Sequence, residues 1–146
     1  VATATRKKAG SLDSVREKLA TALQKLVRLK EAVNHPNGYV QCWSCGIWKH
    51  WKEMQGGHWI ERTKKSTKTI EENIHPQCAG CNGFGWKYAT EKKDRYCRNM
   101  RDFYGDDFCD ELIALSNTPV KEYRADIEER LKEVRAQIKE LEKEAA

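Results

Sequence analysis

From Ser11 onward the apolar residues fall on a seven-residue repeat. Leu12, Leu19, Leu26 and Val33 recur every seven positions, with Val15, Leu23 and Leu29 on the same face, which predicts one amphipathic helix over about 11–33. Asn34-His35-Pro36-Asn37-Gly38 stops it by turn chemistry. The pattern then shortens. Tyr39-Val40-Gln41 reads as a strand, and aromatics (Trp43, Trp48, Trp51, Trp59 and Trp86) replace aliphatic periodicity. Most of these tryptophans are expected in a small core, with one or two free to stack on unpaired bases; His35 and His50 read as surface positions. A further helix is predicted from about Trp86 to Phe103, with Tyr88, Tyr96, Met100 and Phe103 on its apolar side. Asp106 and Asp107 open a short helix, DFCDELIAL, as acidic residues at the positive end of its dipole. Thr118-Pro119 reads as the N-cap and first position of a last helix, in which Val120, Ile127, Leu131, Val134, Ile138 and Leu141 repeat at four-three spacing. A stripe of about three heptads is marginal alone. Each terminal helix therefore needs a partner, either the other one or a second copy of the chain.

Cysteine spacing changes this picture from a helical protein to a clamped one. Cys42/Cys45 and Cys78/Cys81 form two C-x2-C pairs with 32 residues, 46–77, between them. Four thiolates so arranged suit tetrahedral Zn²⁺, each pair aiming two sulfurs at one point about 2.3 Å away. The interval exceeds the roughly 15–20 residues of a compact ribbon, leaving room for a hairpin or long loop that carries other groups. Zinc is then a structural clamp, and the chemistry sits on what it clamps. Cys97 and Cys109 have no such partner and read as small buried hydrophobes.

Composition adds a partner class. Charged residues make up 34% of the 146 and the net charge is +5, which favours an anionic partner. The mean hydropathy of −0.84 fits a modest core with solvated helices. No apolar run approaches 18 residues, so no membrane span is expected. Val1–Gly10 lacks the apolar stretch of a signal peptide and reads as a disordered basic arm. Cysteines spaced as metal pairs fit a reducing cytoplasm.

The clamp carries C-W-S-C-G (Cys42–Gly46), G-H-W (Gly57–Trp59), E-E-N-I-H-P-Q-C (Glu71–Cys78) and C-N (Cys81–Asn82). In that order these motifs resemble the NinG (Rap) recombination endonucleases of lambdoid phages. The resemblance continues upstream in QKLVRLKEAV (Gln24–Val33) and downstream through YGDDFCDELIAL (Tyr104–Leu115) to the final helix. More widely they resemble the HNH, or ββα-metal, endonucleases, and more distantly the endonuclease VII-type junction resolvases. The resemblance implies that His58 is the base that activates water, a task for a group titrating near neutrality. It implies that Asn73 bonds across the loop to hold that histidine, and that Asn82 ligates a catalytic Mg²⁺ or Mn²⁺ through its carbonyl oxygen. One departure stands out. Many of these enzymes carry a metal-binding Asp directly before the histidine, where this chain has Gly57. His75, Glu72 or Glu71 would complete the site, His75 being the first choice, or else DNA phosphate and water hold the ion.

Arg62, Lys64, Lys65 and Lys68 lie in a Ser/Thr-rich loop, ERTKKSTKT, between His58 and Asn73. They are expected to meet phosphate, with Lys87, Lys92 and Lys93 forming a second basic surface on the following helix. Asp106, Asp107 and Asp110 are read as capping residues, with a catalytic carboxylate as the lesser reading. The expected fold is α+β and mostly helical: a small zinc-clamped ββα-metal (HNH) core flanked by amphipathic, coiled-coil-like helices. Its expected divisions are the arm (1–10), the N-terminal helix (11–38), the nuclease core with its basic helix (39–104) and C-terminal helices able to dimerise (105–146). The expected function is metal-dependent cutting of branched recombination intermediates, such as four-way junctions and D-loops, by a homodimer in the host cytoplasm. The alternative is a non-catalytic zinc module that binds DNA or a partner protein.

Overall fold

A computed structural model describes residues 10–83 and 90–145. Residues 1–9 of the arm and Trp86, Lys87 and Tyr88 at the expected start of the basic helix lie outside those residues. Helix α1 spans Leu12–Ala32, and its N-cap Ser11 accepts a hydrogen bond from the Ser14 N–H at 3.1 Å. The last helix, Arg124–Ala145, is α6 here. The two predicted stripes meet each other: Val15, Leu19, Leu23 and Leu26 of α1 share one buried core with Ile127, Leu131, Val134 and Ile138 of α6. Ion pairs Arg16–Glu122 (3.1 Å) and Lys25–Glu142 (2.9 Å) occur in the same order along both segments, so α1 and α6 run parallel. Parallel neighbours need a long connection, and residues 33–123 are that connection. The heptad faces are thus buried within one chain, without a second copy.

Two antiparallel strand pairs lie between the helices. β1 (Tyr39–Gln41) pairs with β2 (Trp48–His50), Val40 opposite Lys49, and the first knuckle, Cys42–Cys45, forms the turn between them. β3 (Gln55–His58) pairs with β4 (Ile74–Gln77), placing Gly57 opposite His75 and His58 opposite Ile74. A four-residue turn of helix, α2 (Lys65–Lys68), sits in the connection, and α3 (Ala79–Asn82) follows β4 directly. β3 lies so close to α1 that a Cβ on Gly56 would stand 2.6 Å from the Gln24 Cα. Arg28 fixes the same junction, its Nη1 donating to the Met54 carbonyl at 2.9 Å. Gly56→Ala is accordingly expected to push α1 off the hairpin and cost about 1–3 kcal/mol. Urea unfolding of variant and parent checks this, and an unchanged midpoint would refute it.

Helices α4 (Thr90–Tyr104) and α5 (Asp106–Ser116) build a second small core from Tyr96, Met100, Cys109 and Leu112, packed on Trp43, Trp59 and Ile70. Five local expectations are corrected. α6 begins at Arg124 rather than after Thr118-Pro119, because Thr118 is engaged with the preceding helix: its Oγ1 donates to the Ala114 carbonyl at 2.8 Å. Val120 is consequently exposed and off the stripe. The N-cap of α5 is Gly105, at φ 88, with no side-chain cap, while Asp106 and Asp110 each accept from Arg101 at 3.0 Å. Phe103 is 71% exposed rather than on the apolar side of its helix, and Cys97 is only partly buried.

Candidate functional site

The first feature is the cysteine cluster. Cys42 and Cys45 come from the β1–β2 turn, Cys78 and Cys81 from the β4–α3 junction, and the four sulfurs all lie within 4.8 Å of one another. The Cys45 and Cys78 sulfurs are 3.7 Å apart. Tetrahedral Zn²⁺ with about 2.3 Å bonds to sulfur requires sulfurs roughly 3.8 Å apart, so the cluster fits the ion. Backbone N–H groups of Ser44, Cys45 and Cys78 point at Cys42 Sγ from 3.4, 3.5 and 3.3 Å, donors that suit a thiolate and orient it for a metal. Burial pushes the Cys45 and Cys81 thiols up. Cys78 is held down against burial by hydrogen bonds from the Cys81 N–H and the neighbouring thiols. Crowded thiols that cannot all ionise alone are a site where a dication would replace the protons.

The second feature is the end of β3. His58 is buried, with 6% exposure, and its Nε2 lies 2.9 Å from the Lys68 carbonyl. A carbonyl only accepts, so Nε2 carries the proton and Nδ1 keeps its lone pair. Nδ1 is buried without a hydrogen-bond partner. Burial lowers the pKa of His58 from 6.5 to about 4, which keeps the ring neutral near pH 7. Asn73 is fully buried and staples the strand end: its Oδ1 accepts from the Ile60 N–H at 2.8 Å, and its Nδ2 donates to the carbonyls of Ile60 (3.1 Å) and Thr67 (3.2 Å). Its own carbonyl accepts from Trp59 at 2.9 Å. These bonds bracket His58 and the carbonyl end of α2. A cleft of about 460 Å³ brings His58 together with Asn82, Glu61, Arg62, Thr63 and Lys93. The Asn82 Nδ2 donates to Gln55 Oε1 at 2.8 Å, which ties α3 to β3.

His75 is a correction. Neighbours on a strand point to opposite faces, and since Ile74 stands opposite His58, His75 turns away from that cleft. It stacks on Trp43 at 3.7 Å between ring centroids. Tyr96 donates its single hydroxyl proton to the Gly57 carbonyl at 2.7 Å and so accepts from His75 Nδ1 at 3.2 Å. Nε2 then accepts from the Tyr104 hydroxyl at 2.8 Å. With both nitrogens engaged and burial lowering its pKa to about 3, His75 is a neutral positioning group with no lone pair for a metal. Glu71 is held by Lys30 at 2.6 Å, and neither it nor Glu72 lines the His58 cleft. A side chain in place of Gly57 would displace Gln77: a Cβ there would lie 1.8 Å from Gln77 Oε1, inside the buried layer.

A family model described as Bacteriophage Lambda NinG protein matches residues 2–144. The chain belongs to the NinG family. Neither a curated protein nor a solved structure matches it.

In this NinG-family chain the basic loop is not bare. Arg62 pairs with Glu17 of α1 at 2.8 Å, Lys68 pairs with the same carboxylate, and Lys65 pairs with Asp13 at 3.4 Å. Lys64 donates to Asn117 at 3.1 Å. On α4, Lys92 donates to the Gly80 carbonyl at 3.3 Å, while Lys93 lines the His58 cleft. Sequence reasoning gave no role to Glu17, Glu61 or Gln77, and placed Tyr96 only on an apolar helix face and Tyr104 only within a family motif. Only Glu61 carried a local signal, as the one acid of the ERTKKSTKT loop; the others matter through contacts between distant elements. None of the described helices is long and apolar enough to cross a membrane.

Proposed function

We propose that this chain is a metal-dependent DNA endonuclease of the HNH type, cutting branched recombination intermediates. The observation that carries the reading is His58: a neutral imidazole, its tautomer set by the Lys68 carbonyl, its Nδ1 lone pair without a partner, in the same cleft as Asn82. A neutral ring can take a proton from a water that attacks phosphorus. Burial corrects the near-neutral titration expected of it, holding His58 at about 4, so the ring is unprotonated at pH 7 and a weaker base than the sequence implied. The order β3, β4, α3, with histidine at the end of the first strand and Asn82 in the short helix after Cys81, matches the order of a ββα-metal core. The cysteine cluster, loaded with zinc, would pin that core.

A Mg²⁺ or Mn²⁺ at the cleft, with Asn82 among its ligands, would supply charge stabilisation at the phosphate and leaving oxygen. The chain's own residues do the rest. Asn73 sets the strand end, the Tyr104–His75–Tyr96 chain of hydrogen bonds fixes the Gly57 carbonyl from the opposite face, and Lys93 and Arg62 draw phosphate toward the cleft. Membership in a bacteriophage family fits a role in phage recombination; the preference for branches rests on that membership. A two-fold branched substrate calls for two copies, which would have to associate outside the α1–α6 seam.

The test is cleavage of a labelled four-way junction beside a linear duplex of equal length, with Mg²⁺, Mn²⁺ or EDTA. Junction-selective, metal-dependent cutting is expected. Equal cutting of both substrates would remove the branch preference and keep the chemistry. Salt-sensitive binding with no cutting under any metal would favour a non-catalytic zinc-containing DNA-binding module, the reading that Gly57 in place of a carboxylate supports.

A further inference from the structure

Residue 57 is a glycine whose Cβ position is taken by the buried Gln77 side chain, His75 faces the other way, and Glu71 is engaged by Lys30. Among the described residues one carboxylate lines the His58 cleft, and it is Glu61. We infer that Glu61 replaces the missing aspartate, supplying with Asn82 the hard oxygen ligands of a divalent cation. The inference rests on the endonuclease reading and names the donor that reading lacks.

The backbone around Glu61 is built to hold it in place. Ile60, directly before it, has both its N–H and its carbonyl bonded to the buried Asn73 side chain, at 2.8 and 3.1 Å. Directly after it, a turn closes with the Lys64 N–H donating to the Glu61 carbonyl at 3.0 Å. Asn73 therefore sets two groups from one point: His58, through Trp59, and Glu61, through Ile60. The side chain itself is exposed at the cleft mouth, where an ion can exchange. His58 supplies the second sign of a ligand, a buried nitrogen lone pair with no partner among the cleft residues.

Charge predicts how the ion binds. A carboxylate and a neutral amide oxygen match Mg²⁺ or Mn²⁺, which keep several waters and take phosphate oxygens as further ligands. Lys93 and Arg62 line the same cleft, Arg62 already paired with Glu17 at 2.8 Å, so a single carboxylate faces the ion there. One carboxylate and one amide leave most of the ion's coordination to water and phosphate oxygens, so metal and DNA should bind together.

The test uses the full zinc-loaded chain with a four-way junction, in a His58→Gln background that leaves the DNA uncut. Free Mn²⁺ is followed by its electron paramagnetic resonance signal as the ion is titrated in. Glu61→Gln is expected to weaken Mn²⁺ binding to the complex by about tenfold or more, with Glu61→Asp falling between, while zinc content and junction affinity in EDTA stay as in the parent. With His58 restored, the Mn²⁺ concentration for half-maximal cutting should rise by the same factor. If Glu61→Gln holds Mn²⁺ as tightly as the parent while the wild-type chain cuts with Mn²⁺, Glu61 is no ligand and the endonuclease reading stands. If the wild-type chain shows no metal-dependent cutting, both are overturned.

Discussion

Stripping zinc, or replacing Cys78 with Ser, is expected to abolish cooperative folding. Cys42, Cys78 and Cys81 belong to the same buried core as α1 and α6, so the clamp is continuous with the only large apolar cluster among the described residues. Structural zinc binds with an apparent free energy of roughly 10–16 kcal/mol in small modules, which equals or exceeds the roughly 5–15 kcal/mol that keeps a whole domain folded. Losing it should therefore remove the thermal transition. The strands it pins are three or four residues long and pair only two by two, too little to persist alone. Zinc content by metal analysis and near-ultraviolet circular dichroism of the tryptophans around the knuckle report the outcome. Cys97→Ser, outside the cluster, serves as the control and should keep both zinc and the transition. A chelated protein that melts at the parent temperature with unchanged aromatic signals would show that the cysteines do not clamp the fold.

His58→Ala is expected to lower the single-turnover cleavage rate by about 10²–10⁴ at pH 7, the range a positioned general base supplies, while zinc content and DNA affinity persist. Truncating a buried ring also leaves a hole, so His58→Gln is the companion variant. Its amide can still donate to the Lys68 carbonyl that His58 Nε2 now meets at 2.9 Å, yet it cannot take up a proton. Both variants losing cleavage while remaining folded would identify proton transfer as the lost function. Cleavage within a few-fold of the parent in His58→Gln would exclude His58 as the base. His75→Gln, by contrast, should act through stability, since its ring ties Tyr96 and Tyr104 together on the far side of the hairpin.

Much of the frame was legible along the chain because its causes are local. Ser11 caps α1 from three residues away, and the heptad of leucines announces the helix and its buried face. Ligand spacing is itself the geometry of a knuckle, so two C-x2-C pairs identify the cluster before any fold is known. Asn73 was placed by motif, and its bonds across the loop are there. The failures cluster where one residue has two local options. Thr118 has the chemistry of an N-cap, but its hydroxyl finds the Ala114 carbonyl behind it and closes α5 instead. Phe103 fits a helical stripe, yet α4 packs through Tyr96 and Met100 and leaves it in solvent.

By itself the sequence determined the cysteine clamp, the two heptad helices and the residues that carry the family's motifs, because periodicity and ligand spacing are properties of neighbouring residues. Tertiary structure alone decided the rest. Strand register turned His75 away from the cleft and His58 toward it, since one step along a strand reverses the face. The parallel docking of α6 on α1 spent both apolar stripes within one chain. The close approach of Gln77 and of α1 selected glycine at 57 and 56. Glu61 came to the cleft because Asn73, thirteen residues away, holds Ile60 at both its polar atoms. Each of these is a pairing between groups far apart in the chain, and no local pattern encodes which face of one element meets which face of another.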